Sequence, residues 1–410
     1  MDSVSSLLGS IEDVGRDPSR GGYSRPVFST AELDLRSWFQ QEAGRRGLEV
    51  ETDRNGILWA WWDPARSGNE AHDGDSRRGA LVTGSHLDSV PGGGAFDGPL
   101  GVASALAAVD LLKARGVTPH RALAVAVFPE EEGSRFGVAC LGSRLLTGGI
   151  DADAARNLKD ADGVTFAEAA RAHGLDPAHL GRDDEALGRI GDFVELHVEQ
   201  GRGLIDLKAP IAVGTSIIGH GRWKLTITGQ GNHAGTTLME DRADPMVAAA
   251  QVVLAIRKTA AATPEARATV GRIQPVPGGT NVIASRVDLW IDVRHPDDAT
   301  TAALVESIHG QAQKAAAFEG CTAALTQESV SGTVTFDAEL QRQLQLALPG
   351  APALPTGAGH DAGILAAHGP SAMLYVRNPT GISHSPEEHV EPDDADLGAA
   401  ALADVLERLL

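Results

Sequence analysis

Short apolar runs and apolar stripes at helical spacing take turns along the first third of the chain. Residues 30–50 space apolar side chains at helical intervals behind a Ser29/Thr30 cap signal, which predicts a helix. Gly79 to Thr83 reads as a buried strand that runs into Gly84-Ser85-His86. Leu100 to Leu112 predicts a helix, and Arg121 to Phe128 a second buried strand. Strand, helix and strand at this spacing predict an α/β domain, a parallel sheet covered by helices. Ligands in such sheets collect at the carboxyl ends of the strands.

Residues 151–190 are acidic, Ala-rich and turn-rich, and read as surface elaboration. From about residue 212 the rhythm changes. Trp223 to Thr228 alternates as a half-exposed strand, and Pro245 to Ala260 is helical. Strand-like stretches follow at Ala268 to Gln274 and Asn281 to Val293, then a helix over Thr300 to Phe318 and a strand over Thr322 to Gln327. That β-α-β-β-α-β order predicts a small ferredoxin-like α+β sandwich inserted into the first domain. The chain returns with a helix (Asp337 to Leu348), a Gly-rich loop, the strand Ala372 to Val376 and a helix from Asp393. The expected divisions are 1–211 and 328–410 for the first domain and 212–327 for the insertion.

Composition narrows the partners. The 410 residues exceed what one core usually serves, consistent with two domains. Lys plus Arg is 35 against 55 for Asp plus Glu, a net charge of −20, with 4% aromatic residues. So acidic a chain with no basic run is expected to bind neither nucleic acid nor anionic membrane. Cys140 and Cys321 lie far apart and form no CxxC pair, so no disulfide framework is expected. With no signal peptide visible and no apolar run long enough to span a bilayer, the expected location is cytoplasmic.

Five polar clusters follow strand-like runs. In Gly84-Ser85-His86-Leu87-Asp88, residues i and i+2 of an extended segment share a face, so Asp88 can hold one nitrogen of His86 and leave the other for a metal. Asp97, in a Gly-rich loop before a helix, is either a helix cap or a carboxylate whose two oxygens bridge two cations. Glu130-Glu131-Glu132 after an apolar strand is costly if buried without a cation; with one, one Glu is a ligand and a neighbour is left as base. Alternation sets Glu195, His197 and Glu199 on one strand face, and His384 lies in a tight loop. Together His86, Asp97, Glu132, His197 and His384 offer mixed N/O ligands suited to two divalent ions, Zn or Mn, with Co or Ni also compatible.

The ordered set GSHLDSV, FDGPLG, EEEGSRFG, ELHVEQG, GNHAGTT, NVIASRVDLWIDVRHP, GAGHDA and GISHSPEE resembles one family branch, from about residue 20 to the C-terminus. It is the amidase/hydantoinase/carbamoylase branch of the aminoacylase–carboxypeptidase metallohydrolases, which includes N-carbamoyl-L-amino-acid hydrolases and allantoate amidohydrolases. The resemblance implies a zinc-peptidase-like catalytic domain with a mixed, largely parallel sheet, and an insertion that serves as a dimerisation and lid domain. It implies that His86 and His384 bind different metals, that Asp97 bridges them, and that Glu132 and His197 complete the pair. Glu131 would be the general base, with Asp88 supporting the site and Glu130 outside it. His197, where peptidase relatives usually hold an acid, favours the carbamoylase branch. His233 resembles the histidine that family members donate to a partner subunit, which implies a homodimer. Gln200, Asn281, Arg294 and Gly359 match substrate positions, and Leu238 departs from the proline common there. Arg294 suits a substrate carboxylate because its guanidinium is a planar bidentate fork.

The expected activity is metal-dependent hydrolysis of the ureido C–N bond of a small N-carbamoyl-L-amino acid or allantoate-type carboxylate, releasing ammonia and carbon dioxide. An aminoacylase or metallopeptidase would share the metal site, and a non-catalytic relative would be expected to have lost a ligand or the base. The motifs leave the choice among ureido substrates open.

Overall fold

The computed structural model describes residues 2–64 and 76–410. It divides into two compact units, one of Met1–Ser216 with Thr335–Leu410 and the other of Ile217–Val334.

The first unit is built on a mixed, nine-stranded sheet. Ala80–His86 lies inside it, parallel to Leu123–Phe128 on one side and to Ile190–Val198 on the other. Ser371–Val376 runs parallel beyond Ile190–Val198. Antiparallel pairing closes one end with Glu49–Thr52 and Leu58–Trp62, and at the other Ile211–Ile217 runs antiparallel to Ser371–Val376 and pairs with the short Val334–Thr335 and Ala353–Thr356. Every residue of Ala80–His86, Leu123–Phe128 and Ser371–Val376 is buried, the continuous apolar pattern of strands covered on both faces. Alternation sorts the neighbouring strand. Leu58 and Ala60 join the core with helices Pro99–Ala114 and Pro392–Leu409. Trp59 meets Phe128 edge-on at 6.4 Å, and Phe128 meets Phe193 at 5.7 Å.

Two glycines set how helix Pro99–Ala114 enters this core. Gly98 has φ +86°, and a Cβ there would lie 2.5 Å from the His86 ring, so the loop from Asp97 closes tightly over that histidine. A Cβ on Gly101 would lie 2.3 Å from the Leu196 carbonyl oxygen, where the helix crosses strand Ile190–Val198. Gly101→Ala is therefore expected to cost about 1–3 kcal/mol by forcing helix and strand apart. Urea unfolding would check this; a midpoint at the wild-type position would refute the close contact.

Two stretches differ from expectation. The helix expected over 30–50 ends at Arg45, and Gly47 in the left-handed region turns the chain into strand Glu49–Thr52. Residues 151–190 form more than surface: Phe166, Ala169, Ala170 and Leu180 share a small core with Val27, Phe28, Phe136 and Leu141. Phe136 and Leu141 belong to the segment just after the three glutamates, so this core buttresses the acid loop.

The second unit is an antiparallel sheet in the order Thr322–Ser331, His220–Thr228, Arg286–Arg294, Arg267–Val276. Leu225, Ile227, Val287, Leu289 and Ile291 turn one face of it to helices Pro245–Ala261 and Asp298–Phe318. Chain order and strand order match the ferredoxin-like sandwich expected from the sequence. The stretch expected as one strand from Asn281 to Val293 is two. Val282–Ile283 leaves the sheet to pair with Asn232–His233, and Arg286–Arg294 begins afresh. No helix among the described residues is long and apolar enough to cross a membrane.

Candidate metal centre

The strand ends deliver the first two ligand candidates. His86 closes its strand, His197 sits one residue before the end of the parallel neighbour, and both rings are fully buried. His86 Nδ1 lies 3.0 Å from the Asp88 carbonyl oxygen, and His197 Nδ1 lies 2.9 Å from the Val198 carbonyl. A carbonyl can only accept, so each ring carries a proton on Nδ1 and turns Nε2 inward. The two Nε2 atoms stand 3.5 Å apart. Asp97 Oδ1 is 3.4 Å from the first and 3.2 Å from the second.

The other oxygen of Asp97 faces a second set. Oδ2 lies 3.5 Å from His384 Nε2, which is 3.3 Å from Glu132 Oε2. Asp97 is thus shared by two donor groups, His86–Asp97–His197 and Asp97–Glu132–His384. Glu388 accepts from the amides of Phe96 and Asp97 at 3.1 and 3.0 Å and from Ser383 Oγ at 3.0 Å, fixing the backbone that carries Asp97. Gln200 Nε2 donates to Asp97 Oδ2 at 2.8 Å.

Glu131 is buried beside the first group, with Oε2 3.6 Å from His86 Nε2 and Oε1 3.6 Å from Cys140 Sγ. Asp88 serves differently from its expected place behind His86. Its carboxylate lies 3.6 Å from Nδ1, beyond hydrogen-bond reach, and instead accepts the amides of Glu131 and Glu132, each at 3.1 Å. It is Asp88's carbonyl that orients His86, while its side chain holds the acid loop in place. Glu130 is buried with φ +55° and accepts the amides of Arg135 and Phe136, bracing the turn that follows.

Charge in this cluster is unbalanced. Burial lifts Glu131 well above the usual carboxylate range; His86 opposes the shift, and Glu132, Asp361 and Asp97 add to it. Glu132 is lifted by burial and by Asp97, and Glu195 by burial. Asp97 goes the other way: burial opposes it, but contact with His197 and His86 holds it well below. The hydrogen-bonding contact with Glu132 raises His384 to about 9. Glu132 Oε1 is buried with no hydrogen-bond partner. Although burial opposes it, Glu131 raises His86 well above the ordinary imidazole range and Asp97 raises His197. With an orphaned carboxylate oxygen and crowded buried acids, this calls for positive charge at these points, from ring protons or from metal. Imidazole and carboxylate together are the donor set of Zn and its first-row neighbours, and the residues fit a dinuclear centre.

Residues 82–408 match the family described as Peptidase family M20/M25/M40. The chain belongs to this family. It is 36% identical over 409 residues to the N-carbamoyl-L-amino acid amidohydrolase of Geobacillus stearothermophilus, covering 96% of this chain and 94% of the relative. Over 415 residues it is 30% identical to the allantoate amidohydrolase of Escherichia coli (strain K12), covering 99% and 97%. Its structure resembles that of an amidase of the hydantoinase/carbamoylase family from Burkholderia multivorans, with TM-score 0.83, 31% identity and coverage of 99% and 97%. This places the chain in the hydantoinase/carbamoylase amidase branch of M20, as a metal-dependent amidohydrolase.

The remaining expected residues of this M20 chain lie in two places. Gly359 is in the loop before helix Asp361–Leu365, whose cap is His360. In the inserted unit, His233 is exposed and its Nδ1 accepts from the Gly235 amide at 3.1 Å. The neutral ring therefore keeps its proton on Nε2, an outward donor. The Asn281 carbonyl accepts from the Ala234 amide at 3.0 Å, tying Asn281 to the same ribbon. Arg294 ends its strand opposite His220 and is gripped by Asp292 at 2.7 and 3.0 Å.

Three residues of the centre went unassigned in the sequence. His360 is buried against the His197 ring at 4.4 Å, and its Nδ1 has no hydrogen-bond partner; burial and His197 hold it well below the ordinary imidazole range. Glu195 accepts from Ser85 Oγ and the Ala362 amide, both at 3.0 Å, and forms a further donor group with His197 and His360. Glu388 is the third. The shared strand face of Glu195 and His197 and the paired glutamates after Pro386 were the available signals.

Proposed function

We propose that this chain hydrolyses the ureido C–N bond of an N-carbamoyl-L-amino acid or an allantoate-type carboxylate, releasing ammonia and carbon dioxide. Metal-dependent hydrolysis is supported by Asp97, with one oxygen turned to His86 and His197 and the other to Glu132 and His384; the ureido choice is supported by His197 and by the similarity to N-carbamoyl-L-amino acid and allantoate amidohydrolases. His86, His197 and Asp97 would hold one divalent ion; Asp97, Glu132 and His384 would hold the other. Bound there, Zn or Mn supplies Lewis acidity and makes water acidic enough to lose a proton near neutral pH.

The chain's own residues would do the rest. Glu131 takes the proton from the attacking water and returns it to the leaving nitrogen. His233, with its proton on Nε2, and Asn281 donate to the oxygen on which negative charge develops. In keeping with the family resemblance, His233 would act in the site of a second copy of the chain, making the homodimer the active form. Gln200 and the backbone at Gly359 position the ureido group, and Arg294 orients the substrate carboxylate in competition with Asp292. Arg294→Lys, which keeps charge but loses the fork, is then expected to raise KM about 10–100-fold with a smaller change in kcat. An unchanged KM would remove the carboxylate assignment.

The test of the reaction is ammonia release by the Mn- or Zn-reconstituted protein. N-carbamoyl-L-amino acids and allantoate would be run in parallel with an N-acetyl amino acid scored by free amine. Turnover of a ureido compound that stops with chelator and returns with metal is the expected result. Cleavage of the N-acetyl compound alone would move the chain to the aminoacylase side.

A further inference from the structure

Cys140 stands where the local backbone favours a different residue. It directly precedes helix Leu141–Thr147 with φ +54°, in the left-handed region that glycine and asparagine adopt most readily. A residue in that place commonly caps the helix with its side chain, and Cys140 makes no such bond. Backbone bonds fix the segment instead. The amides of Cys140, Leu141 and Gly142 donate to the carbonyls of Glu131, Glu130 and Pro129 at 2.7, 3.1 and 3.1 Å. Neither the backbone angle nor the start of the helix accounts for a thiol here.

What the thiol meets is the Glu131 carboxylate. Cys140 is 2% exposed, and its Sγ lies 3.6 Å from Oε1. The other oxygen, Oε2, is 3.6 Å from His86 Nε2 and faces the metal centre. Burial, with Glu131 adding to it, holds the thiol well above its ordinary range, so S–H is the group that faces the carboxylate. His360 Nδ1 stands 3.8 Å from Oε1, beyond hydrogen-bond reach, and closes another side. Ser143, in the same helix, is hydrogen-bonded to Asp361 Oδ1 at 2.5 Å. That bond ties the helix behind Cys140 to the loop that carries His360.

We propose that Cys140 is a positioning residue for the general base: its thiol holds Oε1 of Glu131 and leaves Oε2 as the oxygen that takes the proton. The inference rests on the reading of Glu131 as the base. The terminal torsion of a glutamate side chain is soft, so its carboxylate is aimed by what it touches. A base that must reach one bound water gains from having one oxygen held and the other turned to the centre. A left-handed cysteine is then retained for its side chain, at some cost to the backbone.

The test is steady-state ammonia release by the Mn-reconstituted full chain from N-carbamoyl-L-amino acids and allantoate. Cys140→Ala and Cys140→Ser would each be made in the wild-type and Glu131→Gln backgrounds. Cys140→Ala is expected to lower kcat about tenfold or more, with KM and metal content unchanged. Cys140→Ser, which keeps a donor, should stay within about threefold of wild type. In the Glu131→Gln background, Cys140→Ala should change the residual turnover by less than about twofold, because residues that act as a unit are not additive. A merely structural role would slow both backgrounds alike. Circular dichroism would verify the fold of each variant. Cys140→Gly, which suits the backbone angle and also removes the donor, carries the test if Cys140→Ala does not fold. The proposal is overturned by wild-type kcat in Cys140→Ala, by an equal fall in both backgrounds, or by a Cys140→Ser protein as slow as Cys140→Ala. Wild-type turnover in Glu131→Gln alone would instead remove the base itself, so failure of that reading is told apart from failure of this one.

Discussion

Glu131→Gln is expected to keep its full metal content and to lose turnover by about 10²–10⁴-fold, the range for removing a positioned general base. The substitution is nearly isosteric, and what it removes is the ability to take a proton. The backbone at Glu131 and Glu132 is held by the Asp88 carboxylate through two amides, and Glu130 braces the turn beyond. Neither anchor involves the Glu131 side chain, so the ligands Glu132 and His86 should keep their places. Around the carboxylate itself the structure supplies Cys140 Sγ at 3.6 Å and His360 Nδ1 at 3.8 Å. A side chain so enclosed is held in one orientation, as a base working at one bound water requires. Metal analysis and steady-state ammonia release on the same sample would check both halves. Wild-type turnover in a metallated Glu131→Gln protein would rule out the assigned base.

Much of this arrangement could be read from the chain, for reasons that differ by residue. His86, Glu132 and His197 lie within or just after short apolar runs, and a run that ends in acids and histidines is legible without knowing the neighbours; Asp97 is marked instead by the Gly-rich loop before a helix. The β-α-β-β-α-β order survives in the inserted unit because alternation and helical spacing are local properties. What could not be read depends on segments far apart in sequence. Glu388 caps the amides of Phe96 and Asp97 across nearly 300 residues, and no spacing rule reaches that far. His360 joins the centre only because its loop packs onto the His197 ring. Asp88 is a subtler case: the i, i+2 relation to His86 is present, but the backbone carbonyl, closer than the carboxylate, takes the ring nitrogen. The overlong helix after Thr30 shows the same limit, since Gly47 and the pairing of Glu49–Thr52 with Leu58–Trp62 outweigh a helical pattern.

Asp97→Ala should be the most damaging change in the centre. Each donor group has two ligands of its own, and Asp97 supplies the third to both. Partners that only orient a ligand cost about 10–100-fold in metal affinity when lost, so a shared ligand should cost at least about 100-fold. Turnover should fall with the metal. Glu388→Gln provides the graded comparison: it keeps Asp97 but weakens the grip on its backbone, and should fall in the 10–100-fold range. Loss of metal can be told from loss of fold by melting with and without chelator. A ligand that binds only the folded state raises the melting temperature by mass action. Wild-type protein should therefore melt lower after chelation, whereas Asp97→Ala should melt at one temperature with or without chelator. That temperature should lie near or below the chelated wild type, because removing Asp97 relieves the crowding of Glu131 and Glu132 but also removes a carboxylate that His197 and His86 stabilise in the fold. An Asp97→Ala protein that holds both metals and gains stability from them would show that each donor group stands on its own, and the shared-carboxylate reading would have to be abandoned.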